Sequence, residues 1–254
     1  MVKKNFTYKN NMKVALVCVA KNEDNYIDEW LNYYIKLGFD HIFVYQNNWR
    51  CKLEYPFLTK IEWDGYAVQR TAYNDFVNKN IEVYSHAAFF DVDEFLVLKK
   101  HKNIKEFLKD YNQYDSLGIN WVMFGNNGLV APKDDFSVIK RFTHRGKNVH
   151  SDVKTITKLK KGLSMEVHSV EKYWFDLDGN FCSGFSNYRG NDKTAQINHY
   201  FCKTLPEYID KSNRGVVCSG DHIRGNMQDF EKYNLNQVED LSAYNFMYGK
   251  KIYL

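Results

Sequence analysis

Proline is scarce in this chain: 254 residues contain three, Pro56, Pro132 and Pro206. No proline- or glycine-rich stretch marks a linker and no segment repeats, so the expectation is one domain with its own core. The five cysteines, Cys18, Cys51, Cys182, Cys202 and Cys218, are odd in number and far apart. None forms C-x-x-C, which argues against a zinc knuckle or a disulfide scaffold. No window approaches about 18 consecutive apolar residues, so no transmembrane helix is expected. The opening MVKKNFTYKNN is polar, without the apolar stretch of a secretory signal. The expected location is the cytoplasm, at most peripherally at the inner face of a membrane.

An excess of one charge is lacking too. Thirty-five Lys and Arg stand against 31 Asp and Glu, a formal net charge of +4. That falls short of the dense basic patch of a nucleic-acid binder, and no nucleic-acid partner is expected. The densest cluster, KLKKG at Lys158 to Gly162, reads as a solvated hairpin. A mildly basic surface suits an anionic small ligand. Aromatic residues, by contrast, are plentiful at 17%. They build cores and also stack on sugars.

The pattern along the chain is that of an α/β protein. KVALVCVA (Lys13 to Ala20) is a β-branched run suited to a buried parallel strand. In the following segment Ile27, Trp30, Leu31, Tyr34 and Ile35 form a helical stripe, with Gly38 placed for a left-handed helix end. HIFVYQ is a second strand, TKIEW a third, and YAVQRTAYNDFVNKN a helix with Val68, Ala72 and Phe76 on one face. HAAFF is the fourth strand, followed by a helix in NIKEFLKDYNQ and a strand in SLGINWVMF. This order predicts an open sheet with right-handed crossovers, which binds ligands at the carboxyl ends of its strands. Residues from about 125 to 200 read as irregular, with β-like pieces in VKTITKL and MEVHSV, and helices return from Leu205.

AAFFDVDEFLVL (Ala87 to Leu98) sets Asp91, Asp93 and Glu94 inside an apolar run. Burying an unpaired carboxylate is costly, so these acids need a strand end or a cationic partner. If the segment is extended, Asp91 and Asp93 point the same way and Val92 turns into the core. Two carboxylates at one point repel unless a cation lies between them. Mn2+ or Mg2+ would serve, held by such carboxylates and by phosphate oxygens.

VALVCVAKNEDNYIDEWLNYYIKLGFDHIFVYQNN resembles the opening of GT-A fold glycosyltransferases of the family 2-like and family 92-like group. FFDVDEFL is similar to that group's D-x-D-E-F segment, QRTAYN (Gln69 to Asn74) to its Q-x-x-A-Y, and NWVMFGNNG to its W-x-x-F-G-x-x-G. HYFCKTLPEYIDKSNRG resembles its H-Y-x-x-K to K-x-x-R-G stretch. The likeness covers most of residues 13 to 215, in order.

The resemblance implies a GT-A type, Rossmann-like open mixed sheet flanked by helices, with helical packing at the C-terminus. Residues of about 13–115 would form the nucleotide-sugar half of a single domain, and about 116–254 the acceptor-facing half. Asp91 and Asp93 would hold Mn2+ or Mg2+ on the donor diphosphate, and His199, or alternatively His168, would be the third ligand. Lys21, Asn22 and Glu23 would lie by the nucleoside. Asn47 and Gln69 are further donor-side candidates, Lys154 would help neutralise the diphosphate, and Glu94 would brace the turn.

The implied reaction is inverting transfer of a sugar, with a UDP-sugar favoured, to a glycan or glycolipid acceptor in bacterial surface polysaccharide or lipooligosaccharide synthesis. An inverting transfer needs one general base. Glu166 is preferred; Asp152, Glu171, Asp176 and Asp221 remain alternatives. Trp121 and Trp174 are candidate sugar-stacking walls. The competing expectation is a non-catalytic nucleotide- or glycan-binding module of the same fold. Nucleotidyl transfer is disfavoured, since AKNEDN after the first strand contains no glycine for a phosphate loop.

Overall fold

The first strand, β1 (Val14–Ala20), is buried throughout because each of its faces meets a separate core. Val14, Leu16, Cys18 and Ala20 join one cluster, and Ala15, Val17 and Val19 the other, as a period of two requires. Helix α1 (Ile27–Leu37) packs into the first cluster through Ile27, Trp30, Leu31 and Tyr34. It ends at Gly38, whose φ of 100° lets its N–H reach the carbonyls of Ile35 and Tyr34. The computed structural model describes residues 12–132, 134–215 and 226–249. Cys218, Asp221 and the stretch MVKKNFTYKNN lie outside the described residues.

The chain continues through β2 (His41–Gln46), β3 (Leu58–Glu62), α2 (Gln69–Asn80) and β4 (His86–Phe89). The four strands are parallel, in the spatial order β3, β2, β1, β4. Helix α2 covers the second cluster with Ala72, Tyr73, Phe76 and Val77.

Beyond β4 the backbone turns tightly, with Glu94 N donating to Asp91 O at 3.0 Å, and returns as β5 (Glu94–Leu98). The extended D-x-D expected from the sequence is therefore a turn, although Val92 is buried as expected. Helix α1 secures β5 with aromatic polar groups. Trp30 Nε1 and Tyr34 Oη donate to Glu94 O at 3.1 and 2.9 Å, and Tyr33 Oη donates to Leu96 O at 2.8 Å. Much of the aromatic content of this helix thus satisfies buried strand carbonyls.

Helix α3 (Ile104–Asp110), capped by the Asn103 side chain, leads into β6 (Ser116–Met123). After α4 (Val138–Arg141) and β7 (His144–Arg145), strand β8 (Val153–Lys158) runs antiparallel between β4 and β6. MEVHSV forms no strand; a single bridge joins Met165 to Val170 and leaves the residues between them as a loop. The short β9 (Trp174–Phe175) and β10 (Phe181–Cys182) extend the sheet beyond β6. β11 (Ala195–His199) runs parallel to the end of β6 and antiparallel to β5, which sets His199 opposite Glu94.

Helices α5 (Leu205–Asn213) and α6 (Met227–Tyr233), strand β12 (Val238–Glu239) and helix α7 (Ser242–Tyr248) follow among the described residues. The result is the expected class, an open mixed α/β sheet flanked by helices. Among the described residues no helix is long and apolar enough to cross a membrane. The described cysteines, Cys18, Cys51, Cys182 and Cys202, are free and buried.

Candidate active site

The acids of the β4–β5 turn are matched by side chains from four other elements of the chain. Lys154, wholly buried on β8, places Nζ 3.1 Å from Asp91 Oδ2 and 3.7 Å from Glu94 Oε2. Gln69, at the start of α2, donates to Asp91 Oδ1 at 2.8 Å. Glu94 braces the turn, its Oε2 accepting from Asp91 N at 2.9 Å. Burial raises the Glu94 carboxyl well above the usual carboxylate range, against the pull of Lys154.

Asp93 has different partners. Lys211 of α5 pairs with it, and His199 Nε2 lies 3.5 Å from its Oδ2. Burial works to raise the Asp93 carboxyl, but Lys211 and His199 hold it well below its ordinary value. One turn further along α5, Arg214 pairs with Glu23 and donates to Asn22 O at 2.6 Å.

Lys21, Glu23, Gln69, Asp91, Asp93, Lys211 and Arg214 thus line one cleft at the carboxyl ends of β1 and β4, between the parallel strands and α5. Of the residues singled out in the sequence, Lys21, Glu23, Gln69, Asp91 and Asp93 meet there, with Lys154 directly beneath Asp91. Asn22 sits at the rim with φ 53°, a left-handed conformation uncommon outside glycine. Asn47 is engaged elsewhere: its amide donates to Trp63 O and Gly65 O at 3.1 and 2.9 Å, tying the end of β2 to the loop after β3.

A second pocket adjoins the cleft across His199. Its wall is Trp121, with ring centroids 4.3 Å from His199, 5.1 Å from His168 and 5.9 Å from His150. Asp152, Asp229 and Tyr233 complete a cavity of about 260 Å³. Trp121 Nε1 and His168 Nδ1 are buried without a hydrogen-bond partner among the described residues. Burial and Lys154 push the His168 imidazole down to about 4, so it is neutral at pH 7.

Glu166 lines neither space. It pairs with Arg70 at 2.9 Å, with 42% of its side chain exposed. Asp176 is buried and accepts from Asn180 N at 2.8 Å and from the Asn180 side-chain amide. Trp174 is buried against Gly118 of β6, so it packs the core and forms no sugar wall.

The chemistry of the donor set suits a hard divalent ion, since Asp91 and Asp93 supply carboxylates to one cleft and His199 stands beside Asp93. No three His, Cys, Asp or Glu side chains among the described residues are grouped tightly enough to form a complete metal site by themselves. Lys154 and Lys211 are the cations that face these carboxylates. Sequence reading missed Lys203, Lys211 and Arg214 as site residues. Lys211 and Arg214 stand three apart in a helical segment, a spacing that puts both on one face.

A family model described as Glycosyltransferase family 92 matches residues 58–206. The chain belongs to glycosyltransferase family 92. The match takes in Gln69, Asp91, Asp93, Lys154, His168 and His199, and stops short of Lys211 and Arg214. No curated protein matches this family 92 chain. Among solved structures, TarS from S. aureus is 19% identical over 48% of this chain and 23% of its own, with a TM-score of 0.31. A197 from STIV is 9% identical over 71% of this chain and 97% of its own, at 0.32. The 4-diphosphocytidyl-2C-methyl-D-erythritol synthase from Anaerococcus prevotii DSM 20548 is 8% identical over 94% and 96%, at 0.28. Likenesses this distant carry no argument about function.

Proposed function

We propose that this family 92 chain is an inverting glycosyltransferase that moves a sugar from a nucleotide-sugar, with a UDP-sugar favoured, to a glycan or glycolipid acceptor. The observation that carries the reading is the meeting of Asp91, Asp93, Lys21, Glu23 and Gln69 in one cleft at the carboxyl ends of parallel strands. Family membership favours an enzyme over a non-catalytic binding module. The assignment to bacterial surface polysaccharide or lipooligosaccharide synthesis, at the inner face of the membrane, rests on the sequence resemblance alone.

Asp91 and Asp93 would hold Mn2+ or Mg2+, with His199 beside Asp93 as the third donor. When bound, the ion supplies positive charge to the departing diphosphate. The protein's own groups do the rest. Lys154 and Gln69 hold Asp91 in a single orientation; Lys211 and His199 do the same for Asp93.

The acceptor sugar stacks on Trp121 in the adjoining pocket. Its attacking hydroxyl oxygen bonds to the anomeric carbon as the bond to the diphosphate oxygen breaks. The hydroxyl proton passes to Asp152, which replaces Glu166 as the preferred base because it lines the Trp121 pocket.

The test is metal-dependent transfer from a panel of UDP-sugars to pyranoside acceptors. Asp91→Asn and Asp93→Asn are expected to abolish transfer. Asp152→Asn should lower kcat by about 100-fold or more, while Glu166→Gln stays within about twofold. Unimpaired transfer by Asp91→Asn and Asp93→Asn would refute the donor site; unimpaired transfer by Asp152→Asn would refute the base.

A further inference from the structure

We propose that Lys203, Lys211 and Arg214 form a cationic binding site for a diphosphate group, an anchor built into α5 and its approach that holds the anion without requiring a metal ion. The inference deepens the glycosyltransferase reading and rests on it for the identity of the natural ligand.

Lys203 is the observation that ordinary packing leaves unexplained. It is 3% exposed, and its ammonium makes no ion pair or hydrogen bond among the described residues. Its Nζ lies over the face of the Tyr26 ring, 4.3 Å from the centroid. A buried lysine without a carboxylate is expensive, and a ring face returns only part of what hydration supplied. Its backbone is also held at φ 49°, a left-handed conformation that costs a non-glycine residue stability. Such costs concentrate where a site needs them.

The other two cations share its direction. Lys211 and Arg214 stand three residues apart at the end of α5 and reach Asp93 and Glu23 at the cleft. Those two carboxylates pair directly with Lys211 and Arg214 and act on Lys203 only through space, so Lys203 has no ion-pair partner of its own among the described residues. Glu207, the nearest acid in sequence, is taken up by Arg141 at 2.7 Å.

The three cations border a cavity of about 350 Å³ beside Asn22 and Tyr26, with Glu207 and Asp210 also in its lining, joined to the acid cleft through Lys211 and Arg214. That is room for roughly ten waters at about 30 Å³ each, ample for a diphosphate. Burial and neighbouring Lys211 lower the Lys203 ammonium to about 8, which still leaves it mainly charged at pH 7. A guanidinium and two ammonium groups around one opening offer several charged donors to the oxygens of a diphosphate.

The test uses inorganic pyrophosphate as the probe, titrated into the full-length protein by calorimetry at pH 7, once with EDTA and once with Mn2+. Saturable binding is expected in EDTA, weakened at least tenfold by Lys203→Met and by Arg214→Gln. If Lys203→Met does not fold, as judged by circular dichroism, the Arg214→Gln titration decides alone. Binding seen only with Mn2+, binding unchanged in the cation variants, or no binding in either buffer would overturn the proposal. The glycosyltransferase reading fails separately, if the wild-type protein transfers sugar from no UDP-sugar in the presence of Mn2+, and that outcome leaves the pyrophosphate titration in EDTA untouched.

Discussion

Lys154 Nζ lies 3.1 Å from Asp91 Oδ2, joining the start of an antiparallel strand to the turn that follows the fourth parallel one. The lysine is fully buried and 63 residues distant in sequence. Through this contact the later half of the chain balances the acids that the earlier half presents.

Removing that lysine should therefore cost far more than one ion pair on the surface. Lys154→Met leaves Asp91 and the buried Glu94 facing each other without their cation. The expected loss is about 3–5 kcal/mol, the range for breaking a buried pair from one side. Urea unfolding at pH 7 measures it. A loss within about 1 kcal/mol, the scale of surface pairs, would show that water or another group already screens these carboxylates.

Acid should weaken the fold through His86. This residue opens β4, is 7% exposed, and has its imidazole lowered from 6.5 to about 4 by burial and by Lys158. Because the unfolded chain takes up the proton first, stability is full above pH about 6.5 and declines as pH falls toward 4. The contribution lost by pH 4.5 is about 2–3 kcal/mol. His86→Gln should flatten that part of the pH profile relative to the wild type. Parallel profiles for the two proteins would assign the acid sensitivity to other groups.

Gly118 of β6 should not tolerate a methyl group. A Cβ there would stand 2.2 Å from the Trp174 ring, which lies flat against the strand. Gly118→Ala forces that buried indole aside, at a cost of about 1–3 kcal/mol or more. A change in near-ultraviolet circular dichroism together with a lowered urea midpoint would register the displacement. An unchanged midpoint would mean that the tryptophan yields without loss.

The parallel half was readable because local pattern and tertiary role coincide there. The apolar run of β1 predicted a strand buried on both sides, and the alternating membership of its residues in two cores is the reason. The stripe on α1 held for Ile27, Trp30, Leu31 and Tyr34, and Gly38 ends that helix in the left-handed conformation expected. Asp91 and Asp93 were marked by the cost of carboxylates in an apolar run. Their conformation was less legible: a turn hydrogen bond from Glu94 N to Asp91 O replaces the extended geometry. The strand-like piece MEVHSV, after β8, was misread because apolar alternation over six residues can equally edge a loop.

The amino-acid order by itself determined the parallel strands, the main helices and the place where acidic groups emerge from the sheet, since these follow from periodicity and local backbone preference. Which charges meet those acids was settled only by tertiary structure. Lys154, His199 and Lys211 arrive from β8, β11 and α5, as far as 118 residues from Asp93 in the case of Lys211. Burial makes each carboxylate need a partner, but strand order and helix docking choose which cation comes within reach, and no local pattern encodes that choice.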